Sequence, residues 1–252
     1  INSEQEKKRY KLLQVRSKLP VIEEIEPNEI PKSPIDGTPP MRFRVGTVLN
    51  GSYGPALEIG VWANYHDLLG DETGHIKNAE VVTLDLKMQL REDFYDVTHF
   101  QLFNIQKYAL SPTGIPEDFE WSWRARAGWE RENYKCSPCR IFRTSGGFGG
   151  AFSLTSRDLE YAFLDMFLET PEDSFSSNAY GLAPHLGMTW SPLDLLKIKI
   201  EIGWFKGIYG IENEYLRGIF AQRISISKNL DLRFELEQFM DLESSLALHY
   251  FW

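Results

Sequence analysis

The sequence predicts an all-β fold: a transmembrane, antiparallel, up-and-down β-barrel of about twelve strands, preceded by a short helix and an extended arm. Three observations carry this. From Met41 onward the hydrophobic period is two, the signature of strands with unlike faces. Several of these segments run ten residues or longer, above the usual globular mode of about 5–6 and right for a tilted membrane strand. Finally, the apolar parity carries six of the seven tryptophans, while the opposite parity carries charge of both signs. A soluble barrel would turn apolar residues inward and charge outward. A lipid-facing wall with a polar bore reverses that.

The elements follow in order. Glu4 to Lys18 is charged, with a partial helical stripe at Tyr10, Leu12, Leu13 and Val15 that Pro20 stops. From Pro20 to Pro40 the chain holds six of its thirteen prolines, an extended linker. Residues 1–40 are therefore expected to form a periplasmic arm, and 41–252 the barrel. Strands are predicted at Met41–Leu49, Pro55–Tyr65, Glu80–Arg91, Val97–Tyr108, Phe119–Arg131 and Arg140–Leu154. They continue at Asp158–Glu169, His185–Trp190, Leu195–Trp204, Glu214–Ser225, Leu230–Gln238 and Leu242–Trp252. Twelve is even, as a single-chain bacterial barrel requires. Pro55 opens a strand, Pro184 precedes one, and the other later prolines fall in connections, so none interrupts a ladder.

Parity then assigns faces. Val82, Leu84, Leu86, Met88 and Leu90 point out, opposite Thr83, Asp85, Lys87, Gln89 and Arg91. Trp121, Trp129, Trp190, Trp204, Tyr250 and Trp252 are expected in an aromatic girdle, most near strand ends. The terminal strand, ending on Trp252, is expected to close the barrel and to be read by the barrel-assembly machinery. Tight connections at Ser156-Arg157, Ser191–Leu193 and Lys228-Asn229 alternate with longer ones at Thr170–Ala183 and Phe205–Asn213. Short turns face the periplasm, which places both termini there; Tyr65–Ala79 is the exception. The start at Ile1, without Met or signal peptide, reads as a processed or excised chain.

Composition narrows the partners. A net charge of -9 argues against nucleic acid, which needs a basic footprint. No apolar run reaches the roughly 20 residues of a membrane helix. Outer-membrane lipid is the expected surroundings, in a Gram-negative envelope.

No cofactor or metal site is predicted. Cys136 and Cys139 form a lone CxxC without further ligands, in a hairpin tip, and are expected to be a local disulfide. Gly146–Gly150 lacks the Lys-Ser or Lys-Thr and the helix of a phosphate loop; it is expected to mark a bend or close strand contact. His66, His99, His185 and His249 all fall on the inward parity, so no Ser–His pair faces lipid and no catalytic residue is assigned. The inward face carries Arg42, Arg44, Glu58, Asp85, Lys87, Arg124, Arg126, Arg217, Arg223, Arg233 and Glu235. Mixed signs there suggest pairs across the bore that narrow or block it, or else the wall of a selective pore.

Several short motifs occur in order: Tyr65-His-Asp-Leu-Leu69, Thr83-Leu-Asp85, Gly128-Trp-Glu-Arg131, Gly146-Gly-Phe-Gly149 and Tyr161-Ala-Phe-Leu-Asp165. With Tyr10-Lys-Leu-Leu-Gln-Val-Arg-Ser17 upstream, they resemble the C-terminal part of bacterial "Lnb N-terminal periplasmic domain-containing" proteins, a family named for a lipoprotein N-acyltransferase. In that family a periplasmic Cys–His domain precedes this region. The resemblance implies that this chain is a barrel that anchors or serves such an acyltransferase- or hydrolase-like domain, and is not itself an enzyme. The alternatives are a narrow channel or a structural subunit of an outer-membrane envelope complex, whose other subunits would be partners.

Overall fold

The computed structural model describes residues 3–17, 33, 37–111, 120–132, 139–171, 178–210 and 214–252. Two compact units result, Ile1–Lys32 and Ser33–Trp252. The first contains helix α1, Ser3–Arg16, whose last turn is closed by Ser17 N–H on the Leu13 carbonyl. Among the described residues no helix is long and apolar enough to cross a membrane.

The second unit is a closed antiparallel barrel in which every strand pairs with its sequence neighbours and β1 pairs with β12. Its strands are β1 Arg42–Asn50, β2 Gly54–His66, β3 Ala79–Leu90, β4 Tyr95–Lys107, β5 Ser122–Arg131 and β6 Arg140–Phe152. They continue with β7 Asp158–Pro171, β8 Ala179–Leu193, β9 Leu196–Tyr209, β10 Glu214–Ser227, β11 Leu230–Phe239 and β12 Asp241–Phe251. Closure runs in register from Arg42↔Phe251 to Asn50↔Glu243, and Trp252 N–H adds a bond to the Met41 carbonyl at 3.1 Å. No ladder edge is left unpaired, which is what a β-structure in hydrocarbon needs.

Leu86, Leu164, Met166, Leu186, Ile202, Leu216, Leu246 and Leu248 are exposed on the outer wall. Arg44, Asp85, Arg143, Asp165, Arg233 and His249 are buried inside. The polarity is inverted relative to a soluble barrel, so the stable surroundings of the outer wall are lipid.

Four expectations need correction. First, β8 is Ala179–Leu193 rather than His185–Trp190. Gly181 and Pro184 weaken its local strand signal, but neighbours on both sides recruit it. Gly181 is where the Phe167 ring packs: an added Cβ would sit 2.5 Å from it. Second, prolines do lie within strands. Pro184 pairs with Leu164 on β7, while pairing to β9 passes from Leu182↔Lys206 to His185↔Gly203 around the missing N–H. Pro192 also lies in β8 and Pro171 ends β7, whereas Pro55 stands at the start of β2 as expected. Third, Val82 turns inward onto Trp62 and Phe251. Leu84 adopts a φ of 52°, and the inward phase of β3 changes there from Glu80 and Val82 to Asp85 and Gln89. Fourth, connections do not sort by length as predicted. At the end bearing the Arg42–Phe251 pair lie connections 67–78 and 108–121, the two longest, together with three short ones. The opposite end has connections from eight residues, 132–139, down to Met240 alone, and 172–178 and 210–213 are shorter than expected because β7, β8 and β9 extend further than their sequence signal.

The glycine run in β6 meets its expectation of close contact. Gly147 and Gly149 face β7 so tightly that a Cβ would collide with the Leu164 and Ala162 carbonyls.

Candidate functional site: the barrel interior

The interior divides along its axis. In the half nearest the paired ends of β1 and β12, connection 67–78 folds into the bore. Leu68 is buried with Tyr108, Leu159, Tyr161 and Phe163 in an apolar cluster. Its N–H donates to Glu80 Oε1 at 3.1 Å. Asp67 pairs with Arg233 at 2.5 Å, and Glu72 with Lys197 at 3.0 Å. His75 stacks on His66 at 4.2 Å and meets the Thr38 carbonyl at 3.1 Å. Burial holds the Tyr108 phenol well above its usual range, so it stays protonated and donates to Gln106 Oε1 at 2.7 Å. This half is packed like a domain core.

Above it lies a layer of ionic contacts between distant strands. Arg124 on β5 binds Asp165 at 2.6 Å and Glu201 on β9 at 3.4 Å. Tyr161 and His185 also engage Glu201, at 2.7 and 3.4 Å, and Lys199 reaches Glu80 across the bore at 3.4 Å. Arg143 on β6 pairs with Glu130 and Glu169 and donates to the Tyr215 hydroxyl at 2.9 Å. Arg217 on β10 meets Glu130 and Glu237, both at 3.3 Å. Arg131 grips both carboxylate oxygens of Glu243 at 2.8 and 2.9 Å, from β5 to β12.

A line of inward aromatics backs this layer. Phe205 stacks on Tyr215 at 4.8 Å, and Tyr215 lies 5.0 Å from Phe239. Arg143 and Arg217 sit over these rings. Among the described residues, cavities of about 80 and 170 Å³ lie in this half and share Lys87, His99, Glu130 and Arg217 as walls. A bulge opposite Lys87 and Met88 lets both Thr98 and His99 line the smaller one.

The inward residues named from the sequence all lie in the bore, with the following contacts. Arg42 lies over the Trp62 ring at 3.6 Å. Arg44 is ion-paired with Glu58 at 2.7 Å and Glu235 at 2.9 Å. Asp85 meets His99 at 3.4 Å, and Arg223 meets Asp231 at 2.7 Å. Arg233 bridges Asp67 and Asp231. Lys87 and Arg126 do not follow the expected pairing: among the described residues neither forms an ion pair, and Arg126 instead donates to Ser145 Oγ at 2.8 Å. Both line the cavity of about 170 Å³, whose wall also carries Asp85 and Glu130.

Glu80, Glu130, Arg143, Asp165, Glu169, Lys199 and Glu201 complete the networks; strand parity alone puts Glu130, Lys199 and Glu201 on the inward face, but names no partner for them. Leu68 and Tyr108 had no such signal, because nothing periodic says that a connection folds inward.

Outside, Trp121, Trp190, Trp204, Tyr250 and Trp252 are exposed. Trp129 is half-buried between Phe100 and Phe142. Trp204 lies within β9 rather than at its end, since that strand continues to Tyr209. Tyr180 and Tyr209 stack at 5.5 Å at the end away from the termini. Cys136 lies outside the described residues; Cys139 precedes β6, and its carbonyl accepts from Glu132 N–H at 2.8 Å.

A protein-family model described as a domain of unknown function (DUF7840) matches residues 31–251. No curated protein matches the chain in sequence. Among solved structures, "KdgM porin in complex with disordered oligogalacturonate" is similar at 9% identity and a TM-score of 0.48, covering 83% of this chain and 98% of that one. A NanC porin structure gives 9% and 0.49, covering 84% and 99%. A loop-deletion mutant of OmpT, an outer membrane protein of Vibrio cholerae, gives 9% and 0.43, covering 84% and 97%.

Proposed function

The chain belongs to the DUF7840 family, and we propose that it is a Gram-negative outer-membrane barrel with a closed bore, whose task is to anchor or serve a periplasmic Cys–His acyltransferase- or hydrolase-like domain outside these 252 residues. The observation that supports this most is the filled bore: connection 67–78 packs into it, and ion pairs span it above. A barrel so occupied is suited to holding something at a membrane rather than to passing solute. Residues 1–40 would be the tether, and the resemblance of the sequence motifs supplies the class of domain tethered. Both termini are then periplasmic, the assembly machinery reads the last strand, and Cys136 joins Cys139 in that oxidising compartment. Chemistry belongs to the tethered domain, so the chain alone turns over no ester or amide.

The second reading is a narrow channel, and the two cavities in the half away from the termini favour it. Planar-bilayer recording decides between them. The intact barrel should be silent, and replacing 68–77 by a short turn should produce steps. Large steps from the unaltered chain would overturn the closed-bore reading.

A further inference from the structure

Most cations in the bore have a carboxylate within reach, which makes the exceptions informative. Lys87 on β3 and Arg126 on β5 both line the cavity of about 170 Å³, with Gln101 of the intervening strand β4 between them. Arg126 spends its Nε on Ser145, and its Nη2 is buried without a hydrogen-bond partner among the described residues. The other charges on this cavity are already engaged. Arg143 and Arg217 hold Glu130, and Asp85 faces His99. Four cations and two carboxylates line this cavity, and Glu169 and Glu237 hold Arg143 and Arg217 from outside it. The adjoining cavity of about 80 Å³ has the opposite balance, with carboxylates in excess.

A buried guanidinium N–H without an acceptor is costly, and the walls of a narrow bore concentrate the field of the cations on it. A guanidinium and an ammonium aimed into one small space are complementary to an oxyanion, which accepts from both. A water molecule occupies roughly 30 Å³, so the cavity holds a group of a few heavy atoms. We propose that Lys87 and Arg126 form a binding site for a small oxyanion, a phosphate or carboxylate group, in the half of the bore away from the termini. The site is independent of whether the barrel anchors another domain.

The test uses the full chain folded in detergent micelles, titrated with inorganic phosphate and separately with acetate at constant ionic strength. Phosphate or acetate should bind saturably at one equivalent and raise the thermal midpoint of the wild type. Which of the two binds distinguishes a phosphoryl from a carboxylate ligand. Arg126→Gln should weaken binding about tenfold or more, the worth of a charged hydrogen bond, and Lys87→Met with Arg126→Gln should abolish it. Arg157→Gln, in an exposed turn, should bind as the wild type does. In anion-free buffer the double variant should still fold, because among the described residues neither side chain forms an ion pair and the hydrogen bond it loses is the one to Ser145. Absence of saturable binding to the wild type would overturn the proposal. So would undiminished binding by the double variant, or its failure to fold in anion-free micelles.

Discussion

Arg143 shows what single residues do in this bore. Its guanidinium touches Glu130 on β5, Glu169 on β7 and Tyr215 on β10, and lies 5.4 Å from the Phe205 ring centre. Its surroundings are buried, so truncation takes the paired cation from Glu169 and one of the cations from Glu130. Arg143→Ala should destabilise the folded barrel by about 3–5 kcal/mol, the usual cost of breaking a buried pair from one side. Urea unfolding in micelles, followed by tryptophan fluorescence, measures it; a change below about 1 kcal/mol would mean the network is ornamental. Arg157→Ala removes a pair to the exposed Asp194 and should leave the midpoint where it was. Strand parity puts the charge of Arg124, Arg126 and Arg143 inside. It is silent about partners, because those sit many strands away and depend on the stagger of the whole sheet. That is why parity did not foretell that Arg126 donates its Nε–H to Ser145 instead of forming an ion pair.

At the scale of an element, the last strand does two jobs with adjacent residues. Phe251 is buried against Trp62 and Val82, and Trp252 stands outside, stacked on Tyr250 at 6.2 Å. Phe251→Ala should therefore act as a core deletion, costing about 3–5 kcal/mol. Trp252→Ala should leave the folded barrel nearly as stable but lower its yield in membranes, since it removes an interfacial anchor. Folded and unfolded bands on unboiled gels, compared between refolded protein and cell membranes, separate the two effects. Equal loss in both assays for both variants would refute the division. β12 was readable because its alternation is strict. β8 was not, because Gly181 and Pro184 are poor strand formers held extended by β7 and β9.

For the whole molecule, the outward aliphatic wall means that the folded chain should be monodisperse only with detergent or lipid and should migrate faster unboiled than boiled. A monodisperse monomer without detergent would exclude a membrane barrel. The alternation of apolar and charged residues, with tryptophan on the apolar side, determined by itself that the chain closes into a barrel with an inverted polarity. That information is local, because the strand period is two and each residue declares its own face. Tertiary structure alone decided the rest: the reach of β7, β8 and β9, the inward turn of Val82, the burial of Leu68 and Tyr108 inside the bore, and which arginine meets which carboxylate. Each of these depends on register and stagger between strands distant in sequence, which no single segment encodes.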